Sequence, residues 1–123
     1  AGLDLDQAWF AGSHGDVGGG IRGTDAGDPV AADEPLAWMM AEADAAGLRF
    51  EPHLREGLRL SPTARIHDSR RHIYRLRRAE PRRLERPGRP TRLHPSVRAR
   101  WEADPGYRPP NLKPLLGGTD TGR

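Results

Sequence analysis

Apolar side chains fall into a few short runs separated by long polar stretches. Residues 7–12 (QAWFAG) form an aromatic and apolar run between acidic residues and a glycine, which predicts a buried strand. The next residues, Ser13-His14-Gly15-Asp16-Val17-Gly18-Gly19-Gly20, continue neither strand nor helix at reasonable cost, so the pattern predicts a loop with constrained backbone geometry. Residues 24–33 are polar and acidic, as in a surface connection. Beyond them, Leu36, Met39, Met40 and Ala43 recur at helical spacing, predicting a helix over 34–46 with Asp33 as N-cap, Pro35 in the first turn and Gly47 as the stop. Its apolar face is expected to pack on the preceding strand.

The remainder is thinner in signal. Leu48-Arg49-Phe50 is a brief apolar segment, and 52–62 reads as irregular or weakly helical. Over 64–78, Ile66, Ile73, Tyr74 and Leu76 leave a narrow apolar stripe in a basic background, consistent with a short helix followed by a strand. Residues 81–90 are rich in Arg and Pro and linker-like. A short helix is expected over 96–103, capped by Ser96 and anchored by Trp101, before an extended end from Pro105 to Arg123. One good strand cannot make a sheet, because its backbone donors and acceptors need neighbours on both edges. The sheet is therefore expected to be completed by a preceding segment or a partner chain.

Composition sharpens that expectation. Only 35% of the 123 residues are hydrophobic, and 15 glycines and 12 prolines interrupt them, so any core is small or shared. Residues 1–50 carry nine carboxylates against two basic side chains, whereas the rest of the chain is strongly basic, almost wholly through arginine. With no cysteine there is no disulfide framework and no thiolate metal site. The histidines lack compact ligand spacing, so neither a metal nor a cofactor is expected. No apolar run is long enough for a transmembrane segment, and Ala1-Gly2-Leu3-Asp4 lacks a leader pattern, giving an expectation of a cytoplasmic protein or one secreted without a signal peptide.

The chemistry centres on His14. An imidazole projected from a turn after a buried strand suits the base of a Ser-His-Asp relay, taking a proton from a serine hydroxyl and returning it to the leaving group. The alternative is that His14 caps a turn and the glycines serve tight backbone packing. Asp16, one residue removed from His14, is able to act as its acid or to hold loop amides. His67-Asp68-Ser69 contains three triad residue types, but adjacent side chains diverge, so a turn or capping role is expected there.

The run Ala8-Trp9-Phe10-Ala11-Gly12-Ser13-His14-Gly15-Asp16-Val17-Gly18-Gly19-Gly20 closely resembles the signature of the α/β-hydrolase family that includes the phospholipase effectors of bacterial type VI secretion. Leu36-Ala37-Trp38-Met39, Ile66-His67-Asp68-Ser69, Leu93-His94-Pro95-Ser96 and Tyr107-Arg108-Pro109-Pro110-Asn111-Leu112 extend the likeness. It departs at Ile21, where an aromatic residue is usual. The resemblance implies an α/β fold class, with residues 1–78 as the C-terminal part of a catalytic domain and 79–123 as an Arg/Pro-rich tail. It implies that His14 is the catalytic histidine of a serine esterase or lipase acting on a lipid or other ester substrate. No G-x-S-x-G nucleophile elbow occurs, so the nucleophile and its acid are expected before Ala1 and the chain is expected to be inactive alone. The competing class is a basic module for nucleic acid or anionic surfaces through Arg70, Arg71, Arg75, Arg77, Arg78, Arg82 and Arg83. Specific nucleic-acid recognition is not expected, because no such motif is present.

Overall fold

A computed structural model describes residues 5–21, 23, 25, 27–68, 76, 78, 80–85, 88 and 91–118. Among them the expected α/β sheet is not formed. The one strand-type pairing is an isolated parallel bridge between Trp9 and Leu93, in which the Trp9 N–H donates to Arg92 O (2.9 Å) and the His94 N–H donates to Trp9 O (3.0 Å). The reason is local. The Trp9 segment runs into Gly12 at φ 113°, and the Leu93 segment runs into Pro95, which starts a helix, so neither extended stretch is long enough to propagate a ladder. An ion pair between Arg92 and Asp6 extends the contact by one side-chain link.

Among the described residues five helices carry the regular structure instead: α1 (His14–Gly18), α2 (Asp33–Ala45), α3 (Pro52–Glu56), α4 (Pro95–Ala103) and α5 (Lys113–Leu116). The sequence places α2 within one residue at each end. Asp33 is its first helical residue rather than its cap, and with Glu34 it puts negative charge on the positive end of the helix dipole. The Asp33 carboxylate also accepts the Arg59 N–H (2.7 Å). Gly47, at φ 101°, ends the helix as expected.

The apolar face of α2 is used differently from its periodicity. Pro35 and Met40 are buried and Trp38 meets Phe10 with ring centroids 5.8 Å apart, but Leu36 and Met39 remain 48% and 56% exposed. Helix α4 is capped by His94, not by Ser96. Pro95 occupies the first turn, where its missing N–H is no loss, and the His94 Nδ1 accepts the Ser96 N–H (3.3 Å). The same ring stacks on Phe10 at 4.4 Å. Burial pushes its pKa down, and nearby Arg92 adds to this against the opposing pull of Glu34. A neutral ring is the state able to accept at Nδ1. At the other end of α4, Arg108 lies 4.2 Å from the Trp101 ring centroid and donates to the carbonyls of Trp101, Asp104 and Tyr107. That satisfies helix-end acceptors with a cation.

Among the described residues Leu84, Val97 and Leu112 form a buried apolar cluster, with Trp9, Leu93, Trp101 and Tyr107 packed around them, and Met40 and Ala64 are buried apart from it. Over 64–68 the chain forms neither helix nor strand, and residues 69–75 of the 64–78 stretch, for which a short helix followed by a strand is expected, lie outside the described residues. So do Arg70, Arg71, Arg75 and Arg77, while Arg78, Arg82 and Arg83 are exposed. Among the described residues no helix is long and apolar enough to cross a membrane.

Val97, at 2% exposure, is the best-buried apolar side chain among the described residues, whereas Leu76 is 90% exposed. Val97→Ala is predicted to lower unfolding free energy by about 2 kcal/mol, and Leu76→Ala to change it by less than about 0.5 kcal/mol. Denaturant unfolding followed by tryptophan fluorescence measures both, and equal losses would contradict this placement of the core.

Candidate active site

Ser13 has an extended backbone and starts α1; three residues on, Asp16 turns its carboxylate back toward it. This Ser-x-x-Asp arrangement is a helix-start device. Asp16 Oδ2 accepts the Ser13 N–H and the Ser13 hydroxyl, each at 2.8 Å. The carboxylate then does something no local motif requires. Its Oδ2 accepts the backbone N–H of His67 (2.8 Å), and its Oδ1 meets the His67 Nδ1, also at 2.8 Å, across 51 residues of sequence.

Asp16 is 2% exposed, so its charge is held almost out of water. Burial alone pushes its pKa up; the amide and ring of His67 and the amide and hydroxyl of Ser13 more than offset this, and the group lies below the usual carboxylate range. An ionised carboxylate only accepts, so the Nδ1 of His67 must be the donor. In the neutral ring this leaves Nε2 as the lone-pair nitrogen. A carboxylate fixing the tautomer and orientation of an imidazole in this way is the positioning element of relay catalysis.

Gly12 makes the arrangement possible. It sits at φ 113°, and a Cβ there would stand 2.5 Å from the Asp16 Cβ. Ile21, the position that departs from the family pattern, puts its side chain against Gly15.

His14, singled out from the sequence, is the first residue of α1 and is exposed. Its ring has no hydrogen-bond partner among the described residues. Asp16 therefore pairs with His67 and not with His14. Both imidazoles nevertheless line one open cavity of about 690 Å³, whose apolar wall includes Trp9, Leu84 and Leu93. Tyr107 also lines it, with its phenol pKa raised by burial against a smaller opposing effect of Arg100. Gly18 ends α1, and Gly19 and Gly20 take positive φ (87° and 92°), which turns the chain out of the helix. Neither imidazole hydrogen-bonds a serine hydroxyl among the described residues. No group of three or more metal-ligating side chains occurs among them either.

His67 is visible in the sequence as part of His67-Asp68-Ser69, where a turn or capping role is expected. The usable signal was Ser13-x-x-Asp16, which marks Asp16 as a carboxylate turned inward at a helix start.

Residues 1–42 match the family model described as T6SS, phospholipase effector Tle1-like, catalytic domain. The match contains His14 and Asp16 and stops short of His67. No curated protein and no solved structure matches the chain.

Because folded Asp16 ionises more readily than the same residue in the unfolded chain, its contribution to stability is complete above the ordinary carboxylate range of about pH 4. As the pH falls through that range and below it, the unfolded chain takes up the proton first and the contribution is lost. Asp16→Asn, which sets an amide against donors, is predicted to lower stability at pH 7 by roughly 2–4 kcal/mol. The gap from the unsubstituted protein should close toward pH 3. A gap that stays constant over pH 3–7 in urea titrations would show that Asp16 does not act as a carboxylate.

Proposed function

We propose that this chain carries the acid and base of a phospholipase-type ester hydrolase, with Asp16 orienting His67 as the proton-transfer group. The observation that supports this is the buried Asp16 carboxylate bonded to both the amide and the ring of His67 beside a cavity with an apolar wall. His67 would take the proton from an attacking hydroxyl and pass it to the leaving alcohol, while Asp16 holds the ring and stabilises the imidazolium that forms. The cavity volume suits part of a lipid, with apolar wall for an acyl chain and imidazoles near the ester. The match to a phospholipase effector catalytic domain over residues 1–42 supports the same class.

A second reading, in which His14 is the base, draws on a different observation: His14 lies within the matched residues, whereas His67 does not. Both readings leave the nucleophile outside the 123 residues, which contain no serine in a G-x-S-x-G elbow.

Fatty-acid release from phosphatidylglycerol vesicles tests these readings. The 123-residue chain is predicted to give none above background. With the coding sequence in frame upstream supplying an elbow serine, release is expected. His67→Ala should then lower it by about 10³-fold or more, Asp16→Asn by about 10²- to 10⁴-fold, and His14→Ala far less. A His14→Ala loss as large as that of His67→Ala would favour the second reading. Turnover by the 123 residues alone, or an active His67→Ala protein, would overturn the first.

A further inference from the structure

The segment bearing His67 has no ladder or helix to hold it in place. The Ala64 N–H donates to Ser61 O (3.1 Å) and the His67 N–H to Asp16. Between these points the Ala64 carbonyl is buried, with the residue only 3% exposed, and a buried carbonyl needs a donor. That donor comes from α4: the Arg100 guanidinium hydrogen-bonds Ala64 O through Nη2.

Arg100 is itself unusual. It is 6% exposed, yet no carboxylate of the described residues lies within ion-pair distance. A buried cation without a counter-charge is costly, and an apolar side chain would fill the same space at less expense. The Tyr107 ring centroid lies 5.6 Å from the guanidinium carbon. The ring face offers partial compensation for the charge. The side chain thus spans from α4, beneath a residue of the cavity wall, to a carbonyl three residues from His67. Three extended residues cover about 10 Å, so the anchors at Ala64 and His67 define both the position and the direction of the short stretch between them.

We propose that Arg100 is a positioning residue that holds the 64–67 segment so that the His67 amide and ring both reach the Asp16 carboxylate. Its long planar donor meets a carbonyl that no backbone group of the described residues reaches, and its own helix is fixed to the buried cluster through Val97. The inference rests on the reading of Asp16 and His67 as the functional pair, but it is tested on the geometry of that pair and not on turnover.

Native-state amide exchange and the ring Nδ1 proton signal of His67 test it in the 123-residue chain carrying Arg100→Met or Arg100→Lys. In Arg100→Met, the His67 amide is expected to exchange at least about tenfold faster and the Nδ1 proton signal to disappear, while the Met40 and Ala43 amides of α2 keep their rates. Arg100→Lys retains a charged donor and should restore part of the protection. If Arg100→Met does not fold, the same contrast between His67 and α2 in Arg100→Lys decides the question. Unchanged His67 exchange would overturn the proposal, as would equal acceleration throughout, which would mark Arg100 as a general core residue. An active His67→Ala hydrolase would remove the functional reading and leave the positioning result intact.

Discussion

The arrangement depends on one buried carboxylate. Asp16 accepts four hydrogen bonds, two from Ser13 and two from His67, and so joins a helix start near the N-terminus to a segment 51 residues away. An ionised group this deeply buried is tolerated only when its acceptor positions are filled. The requirement therefore runs in both directions. The donors keep the carboxylate charged, and the charge keeps the donors in place. Without it, the 64–67 segment would lose its His67 anchor and keep the Arg100 contact at Ala64.

Around this pair the described residues form small parts that lack long-range regularity. The Trp9–Leu93 bridge joins the N-terminal segment to the start of α4, and the Phe10 ring links His94 to Trp38 of α2. Side chains thus replace the backbone ladder that a sheet would have supplied. Among the described residues the buried apolar cluster is Leu84, Val97 and Leu112, and around so small a cluster polar contacts such as Arg100–Ala64 and Arg108 with its three carbonyls have a larger share in fixing positions than they would in a thick core.

Local features were legible in the sequence, and non-local ones were not. Apolar spacing located α2, and Ser96 with Trp101 marked the stretch that forms α4 although its cap is His94, because helix periodicity is encoded within a few residues. The same periodicity misassigned Leu36 and Met39, since it marks a face but not what covers that face. The strand expected at QAWFAG failed because composition reports a fit to a pleated surface, while a sheet also needs partners of matching length. Gly12 and Pro95 cut both stretches short. At the site, His14 and Asp16 stood out through glycine-rich surroundings and family likeness. The link from Asp16 to His67 left no trace in spacing, because a hydrogen bond across 51 residues imposes no periodicity.

The long-range nitrogen-15 spectrum of the His67 imidazole at neutral pH, with Asp16→Asn as the reference, tests the central claim most directly. A single tautomer protonated at Nδ1, lost in Asp16→Asn, is the predicted result. An ordinary mixture of tautomers in the unsubstituted protein, or a spectrum indifferent to Asp16→Asn, would contradict it.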